Sequence, residues 1–174
     1  MVKLRNDEMK EIMNLTKGDV LEDGSKVKCV LTTKFSGEMV KIGNLVITPY
    51  HPIIFDGEWQ FPIDVLIENS QKKLDNPYMV MVNAPKPNWV CQLILDKNHI
   101  INAEGIKCIG LGHGFKQGVL KHDYYGTEKI LRNLSMFEGW QKGKVSLKSY
   151  RLLRDSNGMV NGMDRPVYAS PSPW

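Results

Sequence analysis

A threonine and a histidine lie three residues apart in the segment Thr48-Pro-Tyr-His-Pro52, directly after the apolar run Leu45-Val-Ile47. Each proline fixes its own φ and pushes the residue before it towards an extended backbone. The imidazole of His51 is therefore held in one place at the end of a predicted strand. A ring that titrates near neutral pH and is fixed close to a hydroxyl group can transfer protons. On composition alone, a strand end with a half-buried structural histidine is the simpler interpretation.

A second histidine, His113, lies in the glycine-rich segment Gly110-Leu-Gly-His-Gly-Phe115. The two halves of the chain resemble each other weakly. In each half a strand with a cysteine is followed by a turn, by a second apolar strand and then by a turn that is stiffened by glycine or proline and contains a histidine. A duplicated β-unit of this kind would bring both imidazoles into one cleft. We therefore predict that Thr48, His51 and His113 share a pocket close to the start of the chain.

Composition limits the class of protein. With 174 residues, 42% of them hydrophobic and 24% charged, the chain is typical of one soluble globular domain. Its net charge of +4 is mild and its lysines are scattered, so the charge pattern does not indicate a nucleic-acid partner. Because no apolar run is long enough to cross a bilayer, we also expect no membrane partner.

The three cysteines, Cys29, Cys91 and Cys108, are an odd and sparse set that is not typical of a secreted disulfide framework. They indicate free thiols in a reducing, cytoplasmic compartment. None of them belongs to a Cys-x-x-Cys pair, and no ligand spacing combines them with the histidines. We therefore expect neither a metal nor another cofactor.

Alternating and apolar runs predict a chain built mostly of strands. Strands are expected three times within 27–47, at Tyr78–Val82 and Trp89–Leu95, in a hairpin over 100–109, and at Val145–Leu153. One helix is predicted over Thr127–Phe137, with Thr127 as its N-cap and one apolar face.

Three stretches are predicted to lack regular structure. The aromatic, proline-bearing segment Trp59–Ile63 is expected to cap the core, and the polar segment Glu68–Pro77 is expected to be a loop. We predict a single domain over residues 1–155. The segment 156–174, rich in Gly, Asn, Ser and Pro, is expected to be a loosely ordered tail.

An ordered set of motifs, from about residue 15 to about residue 150, resembles the Hint (hedgehog/intein) domain, and most closely the Vint branch found beside von Willebrand A-type domains. The matching segments are Lys17-Gly-Asp-Val-Leu21, Thr48-Pro-Tyr-His-Pro52, Trp59-Gln-Phe-Pro-Ile-Asp64, Leu93-Ile-Leu-Asp-Lys-Asn-His99, Gly110-Leu-Gly-His-Gly-Phe115, His122-Asp-Tyr-Tyr-Gly-Thr127 and Gly139-Trp-Gln-Lys-Gly143. The resemblance implies an all-β, horseshoe-like β-roll with pseudo-two-fold symmetry, to which the sequence adds one short C-terminal helix.

Members of this family cut or rearrange their own backbone. An N-terminal Cys or Ser attacks the preceding peptide carbonyl and forms a thioester or ester. The resemblance implies that His51 protonates the departing amide nitrogen and that Thr48 forms a hydrogen bond near the scissile carbonyl.

Four further residues are implied less directly. Asp96 stands where the family has an acid or base in its second half, although an acid that caps a turn at the end of a strand explains it equally well. His113 is a candidate for orienting a group or transferring a proton, with structural hydrogen bonding as its rival. His99 and Cys108 are secondary candidates.

The sequence departs from the family pattern at its nucleophile. That residue should lie just upstream of 1–21, whereas Met1 carries a thioether and Cys29 falls inside an apolar strand. The end of the chain lacks the Asn-plus-nucleophile pair of complete splicing. We therefore expect an autoprocessing domain whose substrate is its own flanking polypeptide, within a larger protein that can include von Willebrand A-type domains. Because the nucleophile is absent, we expect this domain to be inactive as it stands. A non-catalytic Hint-fold binding or structural module and a cysteine hydrolase using Cys108 with His113 are the alternatives.

Overall fold

The computed structural model describes residues 1–72, 78–84, 89–147 and 152–164. Within these ranges the chain forms fourteen β-strands and two α-helices, and the all-β prediction is confirmed. The strands are β1 (Val2–Lys3), β2 (Met9–Lys10), β3 (Val27–Lys34), β4 (Glu38–Ile42), β5 (Leu45–Ile47), β6 (Ile53–Phe55), β7 (Glu58–Gln60), β8 (Met79–Asn83), β9 (Trp89–Leu95), β10 (Ile100–Ala103), β11 (Ile106–Ile109), β12 (Lys144–Leu147), β13 (Leu152–Arg154) and β14 (Val160–Met163). The helices are α1 (Pro62–Gln71) and α2 (Glu128–Leu134).

The described strands form four sheets. The largest has the order β2-β1-β10-β11-β6-β7 and is antiparallel throughout. A second antiparallel sheet has the order β5-β4-β8. In the third sheet, β3 pairs with β12 in parallel and with β9 in antiparallel orientation. The fourth sheet is the antiparallel pair β13 and β14. Because β6 pairs with β11 and β3 with β9, the two halves of the chain are joined by strand pairing.

Strands β3 and β9 separate two hydrophobic cores. Val30 of β3 and Leu93 of β9 pack in the first core, whereas the next residue of each strand, Leu31 and Ile94, packs in the second. Successive side chains of a strand point to opposite faces, so a strand buried on both faces appears in the sequence as a continuous apolar run. The strand predictions over 27–47, at Trp89–Leu95 and for the hairpin over 100–109 are confirmed.

Helix α2 forms where the sequence predicts it and closes the second core. The side-chain Oγ1 of Thr127 accepts a hydrogen bond from the main-chain N–H of Lys129 at 3.3 Å, which is the predicted N-cap. Ile130 and Leu134 are fully buried on the inner face of the helix. None of the helices in the described part of the chain has the length and apolar character needed to span a bilayer.

Helix α1 contradicts two of the sequence predictions. The segment Trp59–Ile63 is regular after all, because β7 includes Trp59 and the helix begins at Pro62. A proline at the first position of a helix stabilises it, since its fixed φ is helical and its missing N–H would have no partner there. The helix also includes residues 68–71, which were expected to be a loop, whereas residues 73–77 lie outside the described part of the chain.

The last strands continue regular structure beyond the predicted domain boundary. The region predicted as one strand contains β12 and β13, and residues 148–151 between them lie outside the described residues. Strand β14 falls inside the segment expected to be loosely ordered, yet it pairs with β13, with Leu152 opposite Met163. Residues 165–174 lie outside the described residues, so the predicted tail stays a prediction there.

Candidate active site

Thr48, His51 and His113 line one cavity of about 670 Å³. Its walls come from β3 and β9, from the turn after β5 and the loop after β11, and from the β13–β14 hairpin. His122 lines the same cavity. This volume lies in the range of sites that hold small-molecule ligands. The structure therefore brings the two predicted histidines, one from each half of the chain, into the same cleft.

Thr48 and His51 occupy the first and last positions of a tight turn. The main-chain N–H of His51 donates a hydrogen bond to the carbonyl of Thr48 at 3.1 Å. Pro49 stands at the second position, where its fixed φ favours such turns. The turn explains why a spacing of three residues places a hydroxyl and an imidazole on the wall of the same cavity.

The ring of His51 is held by the other half of the chain. Its Nε2 lies 2.8 Å from the carbonyl oxygen of Ile109 in β11. Because a carbonyl can only accept, Nε2 carries the proton and Nδ1 is left as the basic nitrogen. Burial lowers the pKa of His51, and the hydrogen bond to Ile109 opposes this shift. The ring is therefore neutral at pH 7 and able to accept a proton at Nδ1.

His113 is fixed by its glycine-rich surroundings. Its Nδ1 accepts a hydrogen bond from the main-chain N–H of Phe115 at 3.0 Å. A Cβ at Gly126 would lie only 3.0 Å from Cε1 of the His113 ring, so this backbone packs directly on the imidazole. Burial, followed by the proximity of the other three histidines, lowers the pKa of His113 to about 4. His113 is therefore also a neutral base at pH 7.

Several polar residues of the cavity were not among the predicted site residues, and His122 and Gln92 are two of them. His122 accepts hydrogen bonds at Nδ1 from the main-chain N–H groups of Tyr124 and Tyr125, at 3.2 and 3.0 Å, which agrees with a structural role. Gln92 of β9 lines the cavity, and its buried side-chain Oε1 has no hydrogen-bond partner among the described residues. Its signal in the sequence is one polar residue within the apolar strand Trp89–Leu95.

Asp96 lies outside the cavity, and its position does not support the acid–base role. Its Oδ1 accepts a hydrogen bond from the main-chain N–H of Lys26 at 2.7 Å, and its own N–H donates to the carbonyl of Lys26 at 3.0 Å. The hydrogen bond from the main-chain N–H of Lys26 to the carboxylate is the main reason that the pKa of Asp96 is lowered. The residue is exposed, so the turn-capping interpretation accounts for it.

The secondary candidates differ from each other. His99 lies near His113; its Nδ1 is buried without a partner among the described residues, and its backbone has a left-handed φ of 57°. Cys108 is buried, and burial raises the pKa of its thiol to about 12. A thiol that stays protonated at neutral pH is a poor nucleophile. Cys108 also does not line the cavity that holds His113, so the structure gives no support to the hydrolase alternative that pairs them.

The first residue lies away from the cavity. The amino group of Met1 forms an ion pair with Glu104, at the turn of the β10–β11 hairpin. Ile109, whose carbonyl holds His51, pairs with Ile100 at the other end of that hairpin. The expectation that the pocket lies next to the start of the chain is therefore wrong, although the grouping of Thr48 with the two histidines is as predicted.

Comparison with known proteins gives one family. The Vint model, described as a Hint-domain, matches residues 1–162. A search of curated proteins gives no match to this chain. Among the described residues, no cluster of three or more His, Cys, Asp or Glu side chains is arranged to hold a metal ion.

Proposed function

Because this chain belongs to the Vint family of Hint domains, we propose that it is an autoprocessing domain that breaks a peptide bond on its own N-terminal side once a Cys or Ser nucleophile precedes Met1. The observation that supports this most directly is the cavity lined by Thr48, His51 and His113. A hydroxyl and two neutral imidazoles are suitable groups for acyl transfer at an amide. The substrate is the flanking polypeptide of a larger protein, which can carry von Willebrand A-type domains.

The first step is an acyl shift from nitrogen to sulfur or oxygen. The thiol or hydroxyl of a Cys or Ser attached ahead of Met1 attacks the carbonyl carbon of the peptide bond that precedes it. The new C–S or C–O bond forms, the C–N bond breaks, and the proton of the nucleophile ends on the departing nitrogen. The product is a thioester or ester with a free amine, which water or a second nucleophile then cleaves.

We assign the proton transfer to His51. Its Nε2–H is engaged by Ile109, so Nδ1 is the nitrogen that accepts the proton of the nucleophile. Because burial lowers the pKa of this ring, the imidazolium gives the proton up readily to the departing amine. Thr48 supplies a hydroxyl that can donate to the carbonyl oxygen as charge develops on it. His113 orients the junction from the opposite half of the chain.

The position of Met1 determines how far upstream the nucleophile must lie. Strand β10 has three residue steps between Ala103, which pairs with Val2, and Ile100, which pairs with Ile109. These steps correspond to about 10 Å at roughly 3.3 Å per residue. Since the upstream chain must also reverse direction, we expect a nucleophile about 5 to 10 residues ahead of Met1 to reach the cavity.

This proposal is tested with fusions that join a reporter domain to Met1 through a linker with a single cysteine. With the cysteine about seven residues upstream, addition of dithiothreitol should release the reporter over time, and His51→Ala should slow release by roughly 100-fold. A cysteine immediately ahead of Met1, or the distant cysteine replaced by alanine, serves as the control and should give no release. Absence of thiol-dependent release at every linker position contradicts the proposal.

A non-catalytic Hint-fold module is the second candidate. It is favoured by the state of the chain's own thiols, because burial raises the pKa of Cys29 to about 11 and that of Cys108 to about 12, and also raises that of Cys91. None of these cysteines is therefore a ready nucleophile at neutral pH. This candidate predicts that every fusion stays full-length and that the natural function tolerates His51→Ala.

A further inference from the structure

The cavity has an apolar interior and a cationic mouth. Its apolar wall includes buried side chains from β3, β12 and β14 and from the loop after β11, namely Leu31, Leu111, Leu147, Val160 and Met163. Three exposed cations also line it: Lys34, Lys121 and Arg154. None of the described residues that line the cavity is Asp or Glu. A molecule that fits both parts is apolar at one end and negatively charged at the other.

Arg154 is the cation that a hydrogen bond fixes within the β13–β14 hairpin. Its Nη1 donates a hydrogen bond to the carbonyl of Gly158 at 2.7 Å, within the β13–β14 hairpin. Its charge also lowers the pKa of Tyr125, against the stronger effect of burial, so the guanidinium lies close to a tyrosine that lines the cavity. A guanidinium has five N–H donors in a planar fork, and this arrangement leaves several free for a carboxylate.

We propose that this cavity binds an anionic amphiphile of the medium-chain aliphatic carboxylate class, with its carboxylate at Arg154 and its chain among the buried apolar side chains. Each methylene taken from water into the interior strengthens binding about fourfold, and the charged mouth selects the sign of the head group. The site goes beyond the proposed autoprocessing and does not depend on it. The two can therefore fail separately.

The head group is tested with three ligands of equal chain length: decanoate, decan-1-ol and decyltrimethylammonium, each below its micelle concentration. Calorimetric titration of the full chain should show decanoate binding at least about tenfold more tightly than the alcohol, because only the anion engages the guanidinium. The ammonium compound should show no binding. Equal affinity for the anion and the alcohol, or no binding of decanoate, overturns the proposal.

The position of the ligand is tested with a matched pair of variants. Arg154→Gln should weaken decanoate binding at least about fivefold, whereas Arg5→Gln, at an exposed arginine that does not line the cavity, should leave it unchanged. Equal effects of the two variants contradict the site.

Methionine methyl NMR of the unmutated chain gives a second measurement of position. Decanoate should shift the methyl signal of Met163, which lines the cavity, and leave in place those of Met39 and Met79, two buried methionines that do not line it. Shifts at these two methionines without one at Met163 would place the ligand elsewhere and overturn the proposal.

Discussion

Main-chain groups hold one ring nitrogen of each of the two central histidines. The carbonyl of Ile109 accepts from Nε2 of His51, and the N–H of Phe115 donates to Nδ1 of His113. Among the described residues no carboxylate forms a hydrogen bond with either ring. The protonated form of each ring is therefore poorly stabilised, which suits a group that must take up a proton and then release it.

The first prediction concerns Gln92, whose Oε1 is buried and unpartnered. We expect Gln92→Leu to raise the free energy of unfolding by about 1 kcal/mol, because it removes the desolvation penalty of that oxygen. The same change should slow reporter release from the cysteine fusion, since it removes an unpartnered hydrogen-bond acceptor from the lining of the cavity. Urea denaturation and the release rate measure the two effects. A variant that is less stable than the wild type would show that the oxygen has a partner.

The second prediction concerns Gly126, which packs on the ring of His113. In Gly126→Ala the new methyl group would lie 3.0 Å from Cε1 of that ring and 2.9 Å from the carbonyl oxygen of His122. We expect the ring to move, at a cost of about 1–3 kcal/mol in stability, and its pKa, measured by NMR, to change. Gly162→Ala is the control, because its nearest neighbour is the flexible side chain of Leu153 at 3.3 Å. An unchanged His113 pKa would contradict this packing.

The sequence identifies the residues of the site better than it identifies the groups that form hydrogen bonds with them. Thr48 and His51 are marked by two prolines, and His113 by its glycines. The carbonyl of Ile109 leaves no such mark, because every residue carries one. The acid–base role predicted for Asp96 gains no support from the structure for a related reason: an acid at the end of a strand is also the usual cap of the following turn.

Among the elements, the turn after β5 determines the geometry of the site. It joins a strand of the β5-β4-β8 sheet to β6 of the large sheet, and its ends carry Thr48 and His51. The β13–β14 hairpin lies on another side of the cavity. The orientation of His51 therefore depends on how rigidly this one turn is held.

The third prediction tests that rigidity. Pro49→Ala should lower the free energy of unfolding by about 0.4–1 kcal/mol, because the unfolded chain gains freedom, and should broaden the NMR signals of the His51 ring. Pro62→Ala at the start of α1 is the matched control, since Pro62 is buried outside the cavity. We expect it to lower stability without affecting His51. Equal broadening of the His51 signals in both variants would show that the order of this ring does not depend on the turn.

Strands were predicted more accurately than helices. Strands β3 and β9 are buried on both faces, so each leaves a continuous apolar run in the sequence. Helix α1 begins with a proline and has no side-chain N-cap, whereas the shorter α2 follows the N-cap Thr127. The start of α1 is therefore hard to recognise, because a proline within an aromatic segment resembles an interruption rather than a first helical residue.

For the whole molecule, all four histidines of the chain lie in one region. His51, His113 and His122 line the cavity, and His99 lies close enough to lower the pKa of His113. The pKa of each of the four is lowered in the folded state, with burial as the largest cause. The fold of this chain thus concentrates imidazoles that stay largely neutral at pH 7 in and around one cavity.

The fourth prediction follows from these pKa values. An unfolded histidine binds a proton near pH 6.5, whereas folded His113 does so near pH 4. Between these values the unfolded state binds more protons, so the free energy of unfolding falls as the pH falls and is fully retained above about pH 7. After allowance for partial exposure, the titration of His113 should lower the free energy of unfolding by about 1–2 kcal/mol between pH 7.5 and pH 5.0.

Urea denaturation at the two pH values measures this loss. The His113→Gln variant cannot titrate at this position, so its stability should fall less than that of the wild type over the same range. Equal losses in the two proteins would mean that His113 has an ordinary pKa in the folded state.

The central claim is that His51 and His113 act together on one junction. The most direct test is the rate of thiol-induced reporter release from the distant-cysteine fusion in the wild type, His51→Ala, His113→Ala and the double variant. Since both rings act in the same step, we predict that the double variant is about as slow as the slower single variant. The account would be contradicted if either single variant released the reporter at the wild-type rate. It would also be contradicted if the rate reductions of the two single variants multiplied in the double variant.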